Sequence, residues 1–299
     1  MGYLFLFIAL AAGLTKGFCG KKISGATETL ADASLVNFLR MIFCIFIGAG
    51  IMLAGGVIPF AHFNADMMLV AALSGISTAV FVVSWIISVR TGAYVMLDVF
   101  LMLGVIVPIS CCRIFFNEEI RLNQIIGFVI LVAATYVMCS YDLTINGKMS
   151  GGKMALLILC GASNGVADFS QKMFVYKLPD GNAAEFNFYT YLFAAVSLFF
   201  VFLFYKIKST KDVGGKSSLS LKRVIPFIAI MATCLFLNSY FKTLAASRLG
   251  PSELYPLNQG LSLIFSMLMA AVFFKEKITK RCVIGICVAF CGLLIINLL

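Results

Sequence analysis

The chain has 299 residues, 62% hydrophobic and 12% charged, with a formal net charge of +10 and a mean hydropathy of +1.03. A water-soluble fold of that composition would lack the polar surface to cover itself, so the solvent is lipid, and runs without alternation read as helices rather than barrel strands. The basic excess gathers in short loops between apolar runs, a membrane-topology signal that excludes a nucleic-acid surface.

Ten spans are predicted, at roughly 3–19, 33–55, 67–88, 91–113, 122–140, 154–176, 186–206, 223–246, 250–274 and 280–298. The first resembles a signal peptide in hydropathy alone. It has no basic residues ahead of it, and Lys21-Lys22 follow it, so it is expected to remain as a span. Asp142, Asn146 and two glycines, Gly147 and Gly151, mark 141–151 as the turn between two five-span blocks, 1–145 and 146–299. The ten cysteines lie almost wholly within apolar runs, without metal-knuckle spacing, and read as small apolar fillers.

The second block repeats the first. Moving 249–299 back by 158 positions sets Arg248 on Arg90, Gly250 on Gly92, Phe273-Phe274 on Phe115-Phe116, Glu276 on Glu118, Ile278 on Ile120 and Ile284-Gly285 on Ile126-Gly127. Each copy reads as two spans joined by a short charged knot. The starts of the blocks match at other offsets: Gly13 and Gly17 with Gly161 and Gly165, and Asn37-Phe38 with Asn187-Phe188. Glycines four apart give a flat helix face for close approach. Because each block holds an odd number of spans, the second enters the membrane inverted, a plan that places a substrate site near the midplane between the halves. About fifteen Lys and Arg flank the ends after odd-numbered spans and about five the other side, which predicts both termini outside.

Five-span repeats with a glutamate-bearing knot after spans four and nine, each followed by an Ile-Gly helix, resemble the EamA-type members of the drug/metabolite transporter superfamily. The likeness covers the whole chain and is strongest in 91–138 against 249–296. It implies an all-α integral membrane fold of ten helices as two inverted five-helix repeats. Spans one to four and six to nine would surround a central cavity, with spans five and ten at the periphery. The resemblance implies a transporter of small metabolites and does not choose the substrate.

Ionisable side chains within spans mark functional candidates. Lys16, Arg40, Trp85 and Asp98 form an inner level. Lys16 and Arg40 either snorkel to headgroups or pair with Asp98, which needs a cation or a proton. Trp85 is either an interfacial belt residue or a substrate wall. A middle and outer level holds three pairs four residues apart, hence each on one helix face: Asn164 with Asp168, Asn238 with Lys242, and Tyr255 with Gln259, next to Asn258. Asp168 with Lys242 reads as an outer gate pair. Pro108 and Pro256 are expected to interrupt spans four and nine. Asp66 and Glu253 read as first-turn dipole partners, Glu118 and Glu276 as loop-packing residues, and His62 as a loop residue without a role.

The leading reading is a secondary-active or facilitative exporter or exchanger of a small polar metabolite, such as an amino acid, working by alternating access without a cofactor or metal. Its expected setting is a plasma membrane of bacterial type. Proton coupling through Asp98 or Asp168 and plain exchange both stay open, as do monomer and homodimer. A multidrug or quaternary-cation transporter is the alternative, favoured by aromatic walls and unpaired acids. A membrane-embedded enzyme on lipid-linked substrates is disfavoured, because the sequence shows no metal-ligand cluster, nucleophile elbow or P-loop.

Overall fold

The computed structural model describes residues 1–25, 27, 29–60, 64–91, 94–117, 121–146, 150–211, 221–275 and 280–298, and these are helical apart from short turns and connections. The helices are α1 (Gly2–Ser24), α2 (Leu30–Ala54), α3 (Ala65–Thr91), α4 (Tyr94–Leu103), α5 (Ile106–Phe116), α6 (Leu122–Asn146), α7 (Gly151–Lys177), α8 (Ala183–Lys211), α9 (Leu221–Ala246), α10 (Pro251–Val272) and α11 (Lys280–Leu298). They fall where the apolar runs fall, because in lipid a helix satisfies its own backbone groups.

Span four departs from a continuous rod. It breaks into α4 and α5 at Gly104 and Val105, and the cause is Pro108: its ring nitrogen cannot donate to the carbonyl of Gly104, which instead accepts from the Val107 N–H at 3.1 Å. The expectation for Pro256 needs correcting, since α10 continues through it. Its position early in the helix leaves one missing bond that the next turns absorb. Pro226 likewise lies inside α9.

Among the described residues, seven segments are long and apolar enough to cross a membrane: α1, α2, α3, the joined α4 and α5 (Leu97–Phe116), α8, α9 and α10. The apolar stretches of α6 and α11, Leu122–Ala134 and Val283–Ile296, are shorter. Helix α7 is long but carries Ser163, Asn164, Asp168, Ser170, Gln171 and Lys172 on a stretch that crosses the bundle interior. Outward-facing Phe7, Phe46, Phe200 and Phe204 are all at least 60% exposed, as lipid contact requires.

Packing partners come in reciprocal sets. Helix α1 lies along α9 as α7 lies along α3; α2 runs against α8 and α6 against α11; α4 and α5 meet α7 as α1 meets α10. Local features recur too. Asn37 donates to the Ala33 carbonyl at 2.9 Å and to Val82 of α3 at 3.2 Å. Asn187 donates to the Ala183 carbonyl at 2.7 Å and to Thr243 of α9 at 3.4 Å. Asn117 and Lys275, aligned at the 158-residue offset, both adopt the left-handed conformation, with φ of 52° each. Asparagine tolerates that region; lysine there shows that the knot geometry outweighs a local steric cost.

The glycine faces act as predicted for α7. A Cβ on Gly161 would lie 2.3 Å from the Phe100 carbonyl oxygen, and one on Gly165 would lie 2.3 Å from that of Gly104. Backbone thus meets backbone where α4 and α5 cross α7. On α1, Gly13 admits the Asn238 side chain, whose Nδ2 would sit 3.0 Å from an added Cβ.

Candidate functional site

Between α1, α3, α4, α7, α9 and α10 lies a chamber enclosing about 550 Å³ of empty space, its open mouth included. Lys16, Trp85, Asp98, Asn164, Asn238, Lys242, Asn258 and Gln259 line it, together with Phe81, Leu101 and Ser262 among others. Asn164 is the fourteenth of the 27 residues of α7, so the chamber sits at mid-helix. Polar side chains at that depth are costly unless they face water, a ligand or one another. Eight of the eleven candidate residues therefore converge from six separate helices.

Lysine, aspartate and amide side chains line the chamber together. Lys16 projects from α1 with its Nζ 5.7 Å from the Phe81 ring centroid. Trp85, 7% exposed, packs so tightly on α1 that a Cβ on Gly20 would stand 2.6 Å from its ring. It is a chamber wall and not a belt residue. Asn238 Nδ2 donates to the Ala9 carbonyl at 2.6 Å, which aligns α9 on α1. Asn258 Oδ1 is buried without a hydrogen-bond partner. Lys16 and Asn164, matched in the two glycine-bearing helices, both reach the chamber.

The pair read as an outer gate forms. Lys242 Nζ lies 2.5 Å from Asp168 Oδ1, with side-chain exposures of 9% and 2%. Asn164 Nδ2 donates to the other carboxylate oxygen at 3.4 Å. Tyr255 is displaced from its expected role. It is fully buried, does not line the chamber, and donates its hydroxyl to the Asp168 main-chain carbonyl at 2.6 Å. That hydrogen bond joins α10 to α7.

Arg40 also needs correcting. Among the described residues neither Arg40 nor Lys16 forms an ion pair with Asp98. Arg40 does not snorkel: it is 3% exposed, and its Nε has no hydrogen-bond partner among the described residues. It faces Cys44 and Tyr191 in the α2 and α8 interior. Glu118, Glu276 and His62 lie outside the described residues.

The end of the bundle that carries the amino terminus is tied shut by polar contacts. Tyr3 donates to Glu253, joining α1 to α10. Lys172 donates to the Ala246 and Leu249 carbonyls at 3.1 and 3.2 Å, capping α9. Lys177 pairs with Asp66 at 3.0 Å, so Asp66 and Glu253, besides meeting the helix dipole in a first turn, each join two helices. At the opposite end Lys21 donates to the Val89 carbonyl at 3.3 Å and Phe18 packs on Phe273 and Phe274. Sequence reasoning missed these ties, and also the chain Gln171 to Ser239 to Asn187 at 3.1 and 2.5 Å. The signal was present for the last: Asn37 and Asn187 are matched polar residues in otherwise apolar helices. Among the described residues, no three His, Cys, Asp or Glu side chains group as metal ligands.

Residues 152–298 match the EamA-like transporter family. The chain is also similar to a protein of known crystal structure, with a TM-score of 0.67 and 10% sequence identity, over 99% of this chain and 96% of that one. At that identity the likeness concerns the fold alone. A comparison with curated proteins gives no match.

Proposed function

We propose that the chain, an apolar helical bundle whose residues 152–298 match the EamA-like transporter family, is a membrane transporter that exports or exchanges a small polar metabolite, such as an amino acid, by alternating access to the mid-helix chamber. The observation that carries this reading is the convergence of charged and amide side chains from five helices on one void at that depth. Polar groups held at that depth cost free energy unless water, a ligand or one another meets them, and a void lined by so many of them leaves room for water or a ligand.

The mechanism follows from the packing. We read blocks 1–145 and 146–299 as two inverted repeats, joined as ten spans. The internal match at 158 residues, the reciprocal packing sets and the paired left-handed residues Asn117 and Lys275 support this. Rocking one block against the other opens the chamber first to one side and then to the other. Opening toward the amino-terminal end requires breaking the contacts of Tyr3 with Glu253 and of Lys172 with α9. Asp168 with Lys242 lies between those ties and the chamber, as the inner part of the same gate. A solute need only bind the two states unequally to shift their populations. The distribution of Lys and Arg supports an extracytoplasmic position for both termini.

The pairing of Lys242 with Asp168 counts against the quaternary-cation alternative, which asks for acids left to the ligand. The proposal is tested in proteoliposomes loaded with amino acids, by following saturable counterflow of labelled solute. If Asp98→Asn and Asp168→Asn both retain the rate and its pH dependence, proton coupling is excluded and plain exchange remains. If no polar solute exchanges above protein-free vesicles, the transport reading fails.

A further inference from the structure

We infer that the species carried in the chamber is a net anion, whose carboxylate is held by Lys16 with Arg40 behind it. The inference rests on the transport reading above and names the charge class of its substrate.

The argument is a balance of charge. Lys16 lies within electrostatic reach of Arg40, Lys242, Asp168 and Asp98. Counted with Lys16 at their formal charges, these are three cations against two carboxylates, a formal excess of one positive charge in the middle of the bundle. Lys242 is consumed by Asp168 at 2.5 Å. Asp98 balances one of the other two cations at most. No described carboxylate forms an ion pair with Lys16 or Arg40. What Lys16 has is the face of Phe81 at 5.7 Å, a weak replacement for a counter-ion. Arg40, 97% buried, holds an Nε without a partner.

Three other described carboxylates are engaged elsewhere. Asp32 caps its own helix through Thr29, Asp66 pairs with Lys177, and Glu253 accepts from Tyr3 at the bundle end. An uncompensated charge in low dielectric is costly, so a resident excess of one cation favours a ligand with the opposite charge. The ligand must also make hydrogen bonds, since Asn164, Asn238, Asn258 and Gln259 line the chamber, and the buried Asn258 Oδ1 has no hydrogen-bond partner among the described residues. A carboxylate for Lys16 and an amino or hydroxyl donor for the amides fit together. A neutral zwitterion brings no net charge, and a quaternary cation adds to the excess.

The experiment compares isosteric acid and amide pairs, L-glutamate with L-glutamine and L-aspartate with L-asparagine. Thermal shift of the purified protein and counterflow in proteoliposomes are the two readouts. The expected result is that each acid binds at least about tenfold tighter than its amide, a difference worth about 1.4 kcal/mol. In Lys16→Gln that preference drops to within about threefold, and in Lys16→Arg it persists. Equal binding of acid and amide, a preference that survives Lys16→Gln, or no response to either acid overturns the inference. Should Lys16→Gln not fold, the unmodified protein and Lys16→Arg decide the matter between them. Exchange of the amides without the acids removes the charge assignment and leaves the transport reading in place. Absence of exchange for all four solutes overturns both.

Discussion

Breaking the pair of Lys242 and Asp168 has unequal consequences from its two sides. Both side chains are nearly excluded from solvent and in contact at 2.5 Å. Removing one partner of such a pair costs about 3–5 kcal/mol, because the other is left as a buried, uncompensated charge. Asp168→Asn leaves Lys242 facing Lys16 and Arg40 with Asp98 alone to offset three cations, so its cost belongs at the upper end of that range. Lys242→Met leaves Asp168 near Lys16, which takes over part of the compensation, so its cost belongs at the lower end. The double variant removes both charges and is expected to be more stable than Asp168→Asn alone, with a coupling of about 1–3 kcal/mol. Thermal unfolding of the four proteins in one detergent measures this. Additive losses in the double variant, or equal losses in the two single variants, would refute the reasoning.

Other outcomes follow from the same geometry. Gly161→Ala places a methyl 2.3 Å from the Phe100 carbonyl oxygen and is expected to cost about 1–3 kcal/mol, whereas Gly151→Ala, with open space around it, should leave the melting temperature unchanged or slightly raised. Tyr255→Phe loses one hydrogen bond to the Asp168 carbonyl, a change of about 1 kcal/mol, and loosens α10 from α7; faster labelling from the amino-terminal side of a cysteine placed at Ser252 checks it. Asn187→Leu disconnects Ser239 and Thr243 and is expected to lower stability by about 1–3 kcal/mol, yet to leave the apparent affinity for solute unchanged, since Asn187 does not line the chamber.

The helices were legible because a long apolar run has one solution in lipid. Even the break in span four was foreshadowed by Pro108, although its site, four residues earlier, follows from which carbonyl loses its donor. The chamber was legible because Asn164, Asn238, Asn258 and Gln259 have no reason to stand mid-span other than a wet interior. Which polar residues pair with one another was only partly legible. Asp168 and Lys242 carry opposite charge at similar depth, and they met. Asp98 with Lys16 or Arg40 satisfied the same criterion and did not: Arg40 lies on α2, which packs along α8, and its neighbours are Cys44 and Tyr191. Tyr255 shares a helix face with Gln259, but its hydroxyl donates to a main-chain oxygen of α7. Such neighbours are properties of the assembled bundle and are not written in residue spacing.

The claim that the chamber between the two blocks is the path taken by solute is tested most directly by plugging it. Ser262 lines the void on α10, and Ser262→Trp fills it. In proteoliposomes carrying equal amounts of folded protein, the account predicts that counterflow of labelled solute falls to the level of protein-free vesicles. Counterflow that persists at the unmodified rate with the plug in place contradicts it.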